Sequence, residues 1–120
     1  MKSWRLSEIL EELSGIQWSP RAGTETQGQV ERTLEVWDRG NSLGLWECGE
    51  GKFPSQRVER TEVCLILSGR AIVVDDRSAL SVEVHAGMIL VLESGWRGSW
   101  EITEAIQKMY LNLPESETMG

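Results

Sequence analysis

The sequence predicts an all-β domain, built as a barrel or a sandwich, with one short helix near its N-terminus. Beyond Gln29, short runs rich in β-branched and other apolar residues recur about every eight to twelve residues. Pairs of turn-forming residues, such as Ser68-Gly69, separate these runs. A single stretch, residues 3–13, has the three- and four-residue spacing of an amphipathic helix.

The predicted helix carries its apolar residues on one face, and Gly15 can end it. These residues are Leu6, Ile9, Leu10 and Leu13. We expect the helix to pack as a lid on the rest of the domain, with a partner-binding helix as the alternative. Residues 19–29 follow with one proline, two glycines and no periodicity, which predicts an extended linker.

Eight candidate strands follow the linker, a number typical of a barrel or a sandwich. They cover residues 30–37, 42–48, 61–68, 70–75, 80–85, 88–92, 99–103 and 105–111. We therefore divide the chain into a helix and linker that pack on the barrel (1–28), the barrel (29–113) and a flexible, polar tail (114–120).

Composition narrows the classes of partner and the cellular location. The chain has 120 residues, enough for one domain, and its 19 acidic and 12 basic residues give a net charge of −7. Such a charge repels phosphate backbones and anionic membranes, so we expect no nucleic-acid and no membrane partner.

Glu8 and Glu11 interrupt the apolar N-terminal residues, which argues against a secretion signal. Cys48 and Cys64 lie in apolar stretches without zinc spacing, which indicates buried thiols and a cytoplasmic location.

Four segments, taken in order, carry a resemblance to a known family. They are GLWECGEGKF, EVCLILSGRAIVV, AGMILVLESGWRGSWEI and IQKMYL. With its Gly-x-Trp-x-Cys strand, Glu-x-Cys strand, Gly-Trp-x-Gly-x-Trp turn and late Lys-x-Tyr strand, the chain resembles the small single-domain cupins of the ureidoglycine-aminohydrolase-like group (DUF861). The resemblance implies an all-β cupin (RmlC-like) β-barrel or jelly roll of six to eight strands. It also implies a ligand pocket along the barrel axis and a homodimer.

The chain departs from metal-binding cupins at the places of their ligands. Those cupins resemble one another in a first motif with two His and a Glu, and in a second with Gly, Pro, Gly and a third His. Glu62 matches the Glu, but Gly98 stands at the place of the third His. The two other His places fall on Gln56 and Val58, or on Ser55 and Arg57, depending on the spacer. We therefore expect no metal and no other cofactor, since transition-metal sites draw on imidazole or thiolate ligands.

The sole histidine does not replace the missing ligands. His85 shares its strand parity with Ser81 and Glu83, whereas Leu80, Val82 and Val84 make an apolar face. We therefore expect His85 to point to solvent.

The resemblance turns Glu62 toward the barrel axis, and a buried carboxylate there needs a cation. On the last predicted strand Lys108 shares a face with Tyr110 and matches the late lysine of the group. Our hypothesis is that Lys108 supplies the charge that a metal would have supplied; the alternative is a lysine extended into solvent. Arg57 is a candidate for gripping a ligand carboxylate through two hydrogen bonds, or else part of a solvated charged run.

Six tryptophans stand against one Phe and one Tyr. Trp46, Trp96 and Trp100 are candidates to line a slot for a flat or apolar ligand, with a core or rim role as the alternative. The others, Trp4, Trp18 and Trp37, are expected to pin the N-terminal segment to the barrel. The complete set of candidate ligand-binding residues is Trp46, Arg57, Glu62, Cys64, Trp96, Trp100, Lys108 and Tyr110.

The function indicated is a metal-independent module that binds or senses a small molecule, whose identity the sequence does not give. One alternative is an aminohydrolase-like or isomerase-like enzyme with Glu62 and Lys108 as its catalytic residues. We favour the binding module because the aminohydrolase chemistry of the group relies on a metal. A structural or assembly role is the second alternative, and it requires an exposed apolar patch.

Overall fold

In the computed structural model, which describes residues 1–115, one helix precedes eight strands. These elements are α1 (Leu6–Ser14), β1 (Ser19–Pro20), β2 (Val30–Asp38), β3 (Ser42–Cys48), β4 (Gly51–Gln56), β5 (Arg60–Asp75), β6 (Ser81–His85), β7 (Ile89–Leu92) and β8 (Arg97–Pro114). The predicted all-β class with an N-terminal helix is confirmed. No helix within residues 1–115 is both long and apolar enough to cross a membrane.

Two long antiparallel strands, β5 and β8, organise the sheet. They pair along nearly their whole length, from Arg60 opposite Pro114 to Asp75 opposite Gly98. Beside one half of this pair lie β7 on one side and β3, β2 and β1 on the other. Beside the other half lie β6 and β4. Trp46 of β3 and Trp100 of β8 belong to different halves, yet their rings lie 6.2 Å apart, so the sheet folds over on itself into a barrel.

The sheet bends within β5, where the register with β8 shifts near Ser68 and Arg70. Gly69 lies in this bend with φ of 88°, and a Cβ there would overlap the carbonyl oxygen of Ala105. The glycine therefore permits both the left-handed backbone and the close approach of the neighbouring strand. The sequence-based division of β5 into 61–68 and 70–75 was wrong, because this bulge bends the strand without ending it. The same holds for β8, predicted as 99–103 and 105–111.

Two strands were missed by the sequence reading. β4 contains Gly51 and Pro54, which are poor strand formers. Pro54 is accommodated because β4 pairs with β8 on one side only, so it occupies an edge where no second ladder needs its missing N–H. β1 has two residues and lies within the predicted linker. At the other end of the chain β8 extends to Pro114, and residues 116–120 of the predicted tail lie outside the described residues.

The main core fills the space between the two halves of the folded sheet. Its buried apolar side chains are Trp46, Cys48, Phe53, Cys64, Ile66, Ala71, Val73, Val84, Leu92, Trp100, Ile102 and Ile106. They come from every strand except β1 and β2, which explains why no short segment of the chain holds the core by itself.

Helix α1 packs on the outer face of the sheet, where Leu13 is fully buried against Leu45 of β3 and its neighbours. The guanidinium of Arg32 fixes the end of the helix. It donates hydrogen bonds to the carbonyl oxygens of Ser14 and Ile16 and lies 4.0 Å from the centre of the Trp18 ring. The helix thus packs on the barrel as expected. Trp4 is 46% exposed and Trp18 is 38% exposed, so neither tryptophan is buried against the barrel.

Part of the outer apolar face is not covered by the helix. Leu65, Ile89 and Val91 lie on this face and are exposed. Leu67, by contrast, packs against the buried cluster of Ile9, Leu13 and Leu45 under the helix. Of the two apolar side chains of β5 on this face, Leu65 and Leu67, only Leu67 is thus covered by the helix. Of the predicted apolar face Leu80, Val82 and Val84, only Val84 is buried, while Val82 of β6 and Leu80 just before it are exposed, so the inward face is confirmed at Val84 alone. His85 is exposed, as expected.

Candidate functional site

A cavity of about 320 Å³ opens inside the barrel between the two halves of the sheet. Its wall combines polar and charged groups with aromatic rings that they contact. It is lined by Arg21, Thr33, Trp46, Phe53, Ser55, Arg57, Arg60, Glu62, Trp100, Lys108, Tyr110 and Asn112. A volume near 300 Å³ is at the small end of ligand pockets and fits a small organic molecule.

The strands β5 and β8 bring a carboxylate and an ammonium together at the wall of the cavity. Glu62 and Lys108 both occupy inward positions of their strands, and Lys108 Nζ lies 2.8 Å from Glu62 Oε2. Both side chains are buried, with 5% of Glu62 and 7% of Lys108 exposed. The expected ion pair is present, and the alternative of a solvent-exposed Lys108 was wrong.

Two tryptophans hold the Lys108 ammonium from either half of the barrel. Nζ lies 4.5 Å from the ring centre of Trp46 and 4.7 Å from that of Trp100. These distances are within the range of cation–π attraction, which strengthens where water is excluded. Trp100 is itself 1% exposed and Trp46 is packed edge-on against it. The main role of the two rings is therefore to hold the Lys108 ammonium in place, and their remaining surface faces the cavity.

Arg57 provides a second cation for the same carboxylate. It follows β4, and its Nη2 forms an ion pair with Oε1 of Glu62 while Nη1 donates to the carbonyl oxygen of Gln56. Its backbone is fixed as well, because its N–H donates to the carbonyl oxygen of Trp96 and its carbonyl accepts from the N–H of Gly95. The sequence placed Arg57 at the site as a free anion grip, but the structure shows it engaged with Glu62.

The two cations keep Glu62 ionised. Burial alone would raise the pKa of this carboxyl, but the Lys108 ammonium and the Arg57 guanidinium outweigh burial, so the pKa lies below its usual 4.5. Burial also raises the pKa of the nearby Cys64 thiol, to about 12. The wall thus presents a fixed carboxylate, a fixed ammonium and a neutral thiol behind them.

The donor set of the cavity does not fit a transition metal. Nowhere in residues 1–115 do three His, Cys, Asp or Glu side chains cluster so that they could hold a metal ion. The carboxylate that matches the metal ligand of other cupins is already in contact with Lys108 and Arg57. A dication beside these two cations would be repelled, and no imidazole is present to compensate.

Two of the sequence-predicted residues do not line the cavity. Cys64 is fully buried behind Glu62. Trp96 belongs to the turn between β7 and β8 and lies against Gly98, where a Cβ would overlap both the indole and the carbonyl oxygen of Val74. This tryptophan faces an open groove on the outside of the barrel together with Asp75 and Arg97. Placing it in the slot was therefore wrong, because the parity of strand residues does not extend into a turn.

The sequence reading missed half of the cavity wall. Phe53 was missed, and Ser55 was considered only as a possible histidine place, because β4 was not recognised as a strand. Arg21 lies in the segment read as a linker, yet its guanidinium is 3.7 Å from the centre of the Phe53 ring and 2.7 Å from Glu31. The other missed residues are Thr33, Arg60 and Asn112. Strand parity would have indicated Asn112, since it continues the Lys108–Tyr110 face.

Comparison with known proteins places these features in a common fold. A family model for the EutQ-like cupin domain matches residues 37–110. No curated protein matches the chain.

Three solved structures illustrate the likeness. A putative ethanolamine utilization protein Q from Salmonella typhimurium is 14% identical, with a TM-score of 0.68 over 86% of this chain and 83% of its own. A DUF861-family protein of unknown function from Pseudomonas syringae is 15% identical, with a TM-score of 0.68 over 81% of this chain and 42% of its own. A predicted oxalate decarboxylase from Thermotoga maritima is 14% identical, with a TM-score of 0.65 over 85% of this chain and 96% of its own. At these identities the likeness shows the fold, and it confirms the expected cupin barrel.

Proposed function

The chain belongs to the EutQ-like cupin family, and from that premise we propose that it binds a small organic molecule inside its barrel without a bound metal. The observation that carries this proposal is the cavity of about 320 Å³ with charged groups and aromatic rings in one wall. Aromatic surface supplies binding energy, and a few fixed polar groups supply orientation, which is the usual composition of a ligand pocket.

Independence from metal is supported by the surroundings of Glu62. Lys108 and Arg57 provide the positive charge that this buried carboxylate requires. A carboxylate already neutralised in this way gains little from a metal ion, and no imidazole is near to complete a coordination shell.

Binding is better supported than acid–base catalysis. A general acid or base works best when its pKa is near the working pH. The two cations move the pKa of Glu62 in the opposite direction, to below 4.5. The enzyme alternatives based on Glu62 and Lys108 are therefore less favoured than a role in which the pair holds and orients a ligand.

A thermal-shift screen tests the proposal, with small carboxylic acids, ureido compounds and sugars as probes. A ligand that binds only the folded state must raise the midpoint of unfolding. We expect at least one compound to do so for the wild-type protein. Thr33 lines the cavity, so Thr33→Trp places a large side chain in it and should abolish the shift. Thr103 is exposed on the other face of β8, and the matched control Thr103→Trp should keep the shift.

Two results would contradict the proposal. If no compound of the three classes raises the midpoint, the binding function is not supported. If elemental analysis of the purified protein gives stoichiometric iron, manganese, nickel or zinc, its independence from metal is wrong.

A further inference from the structure

The charges on the cavity wall do not balance. Among residues 1–115, the wall contains four cationic side chains and a single carboxylate, Glu62. The cations are Arg21, Arg57, Arg60 and Lys108. Arg21 has its own counter-charge, since its Nη1 lies 2.7 Å from Oε1 of Glu31. The excess of positive charge at this wall contrasts with the net charge of −7 on the whole chain.

Part of the excess lies out of water. Glu62 is shared by Arg57 and Lys108, so the three groups carry two positive charges and one negative charge. Their side chains are 5% to 15% exposed. A buried charge without a counter-charge is unfavourable, and an anion that enters such a site offsets that cost.

The ion pair between Arg57 and Glu62 is also incomplete. Within the described part of the chain, Nε of Arg57 has no hydrogen-bond partner, and only Nη2 of its guanidinium contacts Oε1 of Glu62. The guanidinium thus meets the carboxylate through one Nη group and not through the two parallel hydrogen bonds that make arginine–carboxylate pairs strong. Arg57 can therefore leave this contact for a better-aligned carboxylate more easily than it could leave a bidentate pair. Glu62 keeps Lys108 as its partner when Arg57 turns to another anion.

The aromatic residues of the same wall limit the rest of the ligand. Trp46, Phe53 and Trp100 pack edge to face around the cavity, with ring centres 6.2 Å apart in each pair with Trp46. Apolar ring surface favours an apolar or flat body over a polyhydroxylated one. The volume of about 320 Å³ admits only a small apolar body.

We propose that the ligand of this cavity is a small organic monoacid, whose carboxylate pairs with Arg57 and whose apolar body lies against the aromatic rings. This inference rests on the proposed function and adds the chemical class of the ligand. The carboxylate balances the positive charge that Glu62 leaves over, and the body contacts Trp46 and Phe53 where they line the cavity.

Matched acid and amide pairs test the inference by calorimetry: propionate with propionamide, benzoate with benzamide, and phenylacetate with phenylacetamide. The members of a pair have nearly the same shape and differ in charge. We expect the acid of at least one pair to bind at least tenfold more tightly than its amide. In Arg57→Gln this preference should be lost, while Arg57→Lys should retain a reduced preference through its charge. Arg39 is exposed in the turn after β2, and Arg39→Gln should bind as the wild type does.

Three outcomes overturn the inference. In the first, the amides bind as tightly as the acids. The binding function then stands, but the cavity does not select a negatively charged ligand. In the second, the preference for acids survives in Arg57→Gln, so that Arg57 does not hold the carboxylate. In the third, no member of any pair binds; the broader screen with ureido compounds and sugars then shows whether the binding function falls as well. Circular dichroism of each variant establishes that it is folded before binding is measured.

Discussion

Glu62 is the residue on which the interior of this barrel depends. A carboxylate buried to this degree is costly unless it is paired, and here two cations from different parts of the chain reach it. Lys108 comes from the neighbouring strand β8, whereas Arg57 comes from the segment before β5. The aromatic rings around Lys108 exclude water, so each of these contacts is stronger than the same contact on the surface would be.

The first prediction concerns the coupling of Glu62 and Lys108. We expect Glu62→Gln and Lys108→Met each to lower the free energy of unfolding by about 3 kcal/mol, because each leaves a buried charge with less compensation. In the double variant the total loss should be smaller than the sum by about 1 to 3 kcal/mol, since the interaction is removed only once. Urea denaturation of the four proteins measures this. Strictly additive losses would show that the two side chains do not interact.

The second prediction concerns pH. The pKa of Glu62 is lower in the folded protein than its usual 4.5, so the unfolded state binds a proton first as the pH falls. The stability that the ionised carboxylate supplies is therefore fully present above about pH 5 and is lost as the pH falls from there through the folded pKa.

Denaturation of wild type and Glu62→Gln between pH 8 and pH 3 checks this. The difference in unfolding free energy should be constant down to about pH 5 and then shrink. A difference that instead shrank on raising the pH from 5 to 8 would mean that the pKa of Glu62 is raised.

At the scale of elements, the bend shared by β5 and β8 creates the site. Without it the two halves of the sheet would lie side by side, and Trp46 would not meet Trp100. Gly69 makes the bend possible, because its φ of 88° is left-handed and its Cα faces the backbone of Ala105 and Ile106. Its role is thus steric as well as conformational.

The third prediction separates these two roles of Gly69. Gly87 has φ of 90°, but a Cβ there would meet nothing within 4 Å, so Gly87→Ala should cost about 1 to 2 kcal/mol for the left-handed backbone alone. Gly69→Ala should cost more, about 3 kcal/mol or above, because the Cβ also forces the β8 backbone away. Thermal or urea denaturation compares the two. Equal losses would show that the close approach of β8 at Gly69 has no energetic consequence.

At the scale of the whole molecule, the barrel protects its interior as one unit. Strands that are far apart along the chain share the core, since Cys48 of β3, Cys64 of β5 and Ile106 of β8 are fully buried in the same cluster. Burial raises the pKa of Cys48 to about 11 and that of Cys64 to about 12. Neither thiol is therefore reactive at neutral pH while the barrel is closed.

The fourth prediction uses these thiols as reporters of barrel opening. At pH 8 we expect a water-soluble disulfide reagent to modify both cysteines only as fast as the protein unfolds globally. Urea should accelerate both reactions in parallel with the loss of circular dichroism. Modification of either thiol within seconds in the absence of urea would contradict the closed barrel.

The sequence by itself determined which residues face inward along the strands that it made recognisable. The two-residue period placed Glu62 on one face of β5 and Lys108 with Tyr110 on one face of β8, and the resemblance turned the Glu62 face toward the axis. The sequence also determined the position of the helix, because an apolar stripe at helical spacing is recognised without knowledge of its distant partners.

Only the tertiary structure decided which inward faces meet. The fold of the sheet places Phe53 and Arg21 in the wall of the cavity. It also pairs Arg57 with Glu62 and places Trp96 outside the cavity. These outcomes depend on how far β5 and β8 bend and on how the turns are anchored, as by the two backbone hydrogen bonds at Arg57. Local patterns carry no such information, because the backbone directs each side chain to a face, whereas the contacts between faces arise from packing over the whole chain.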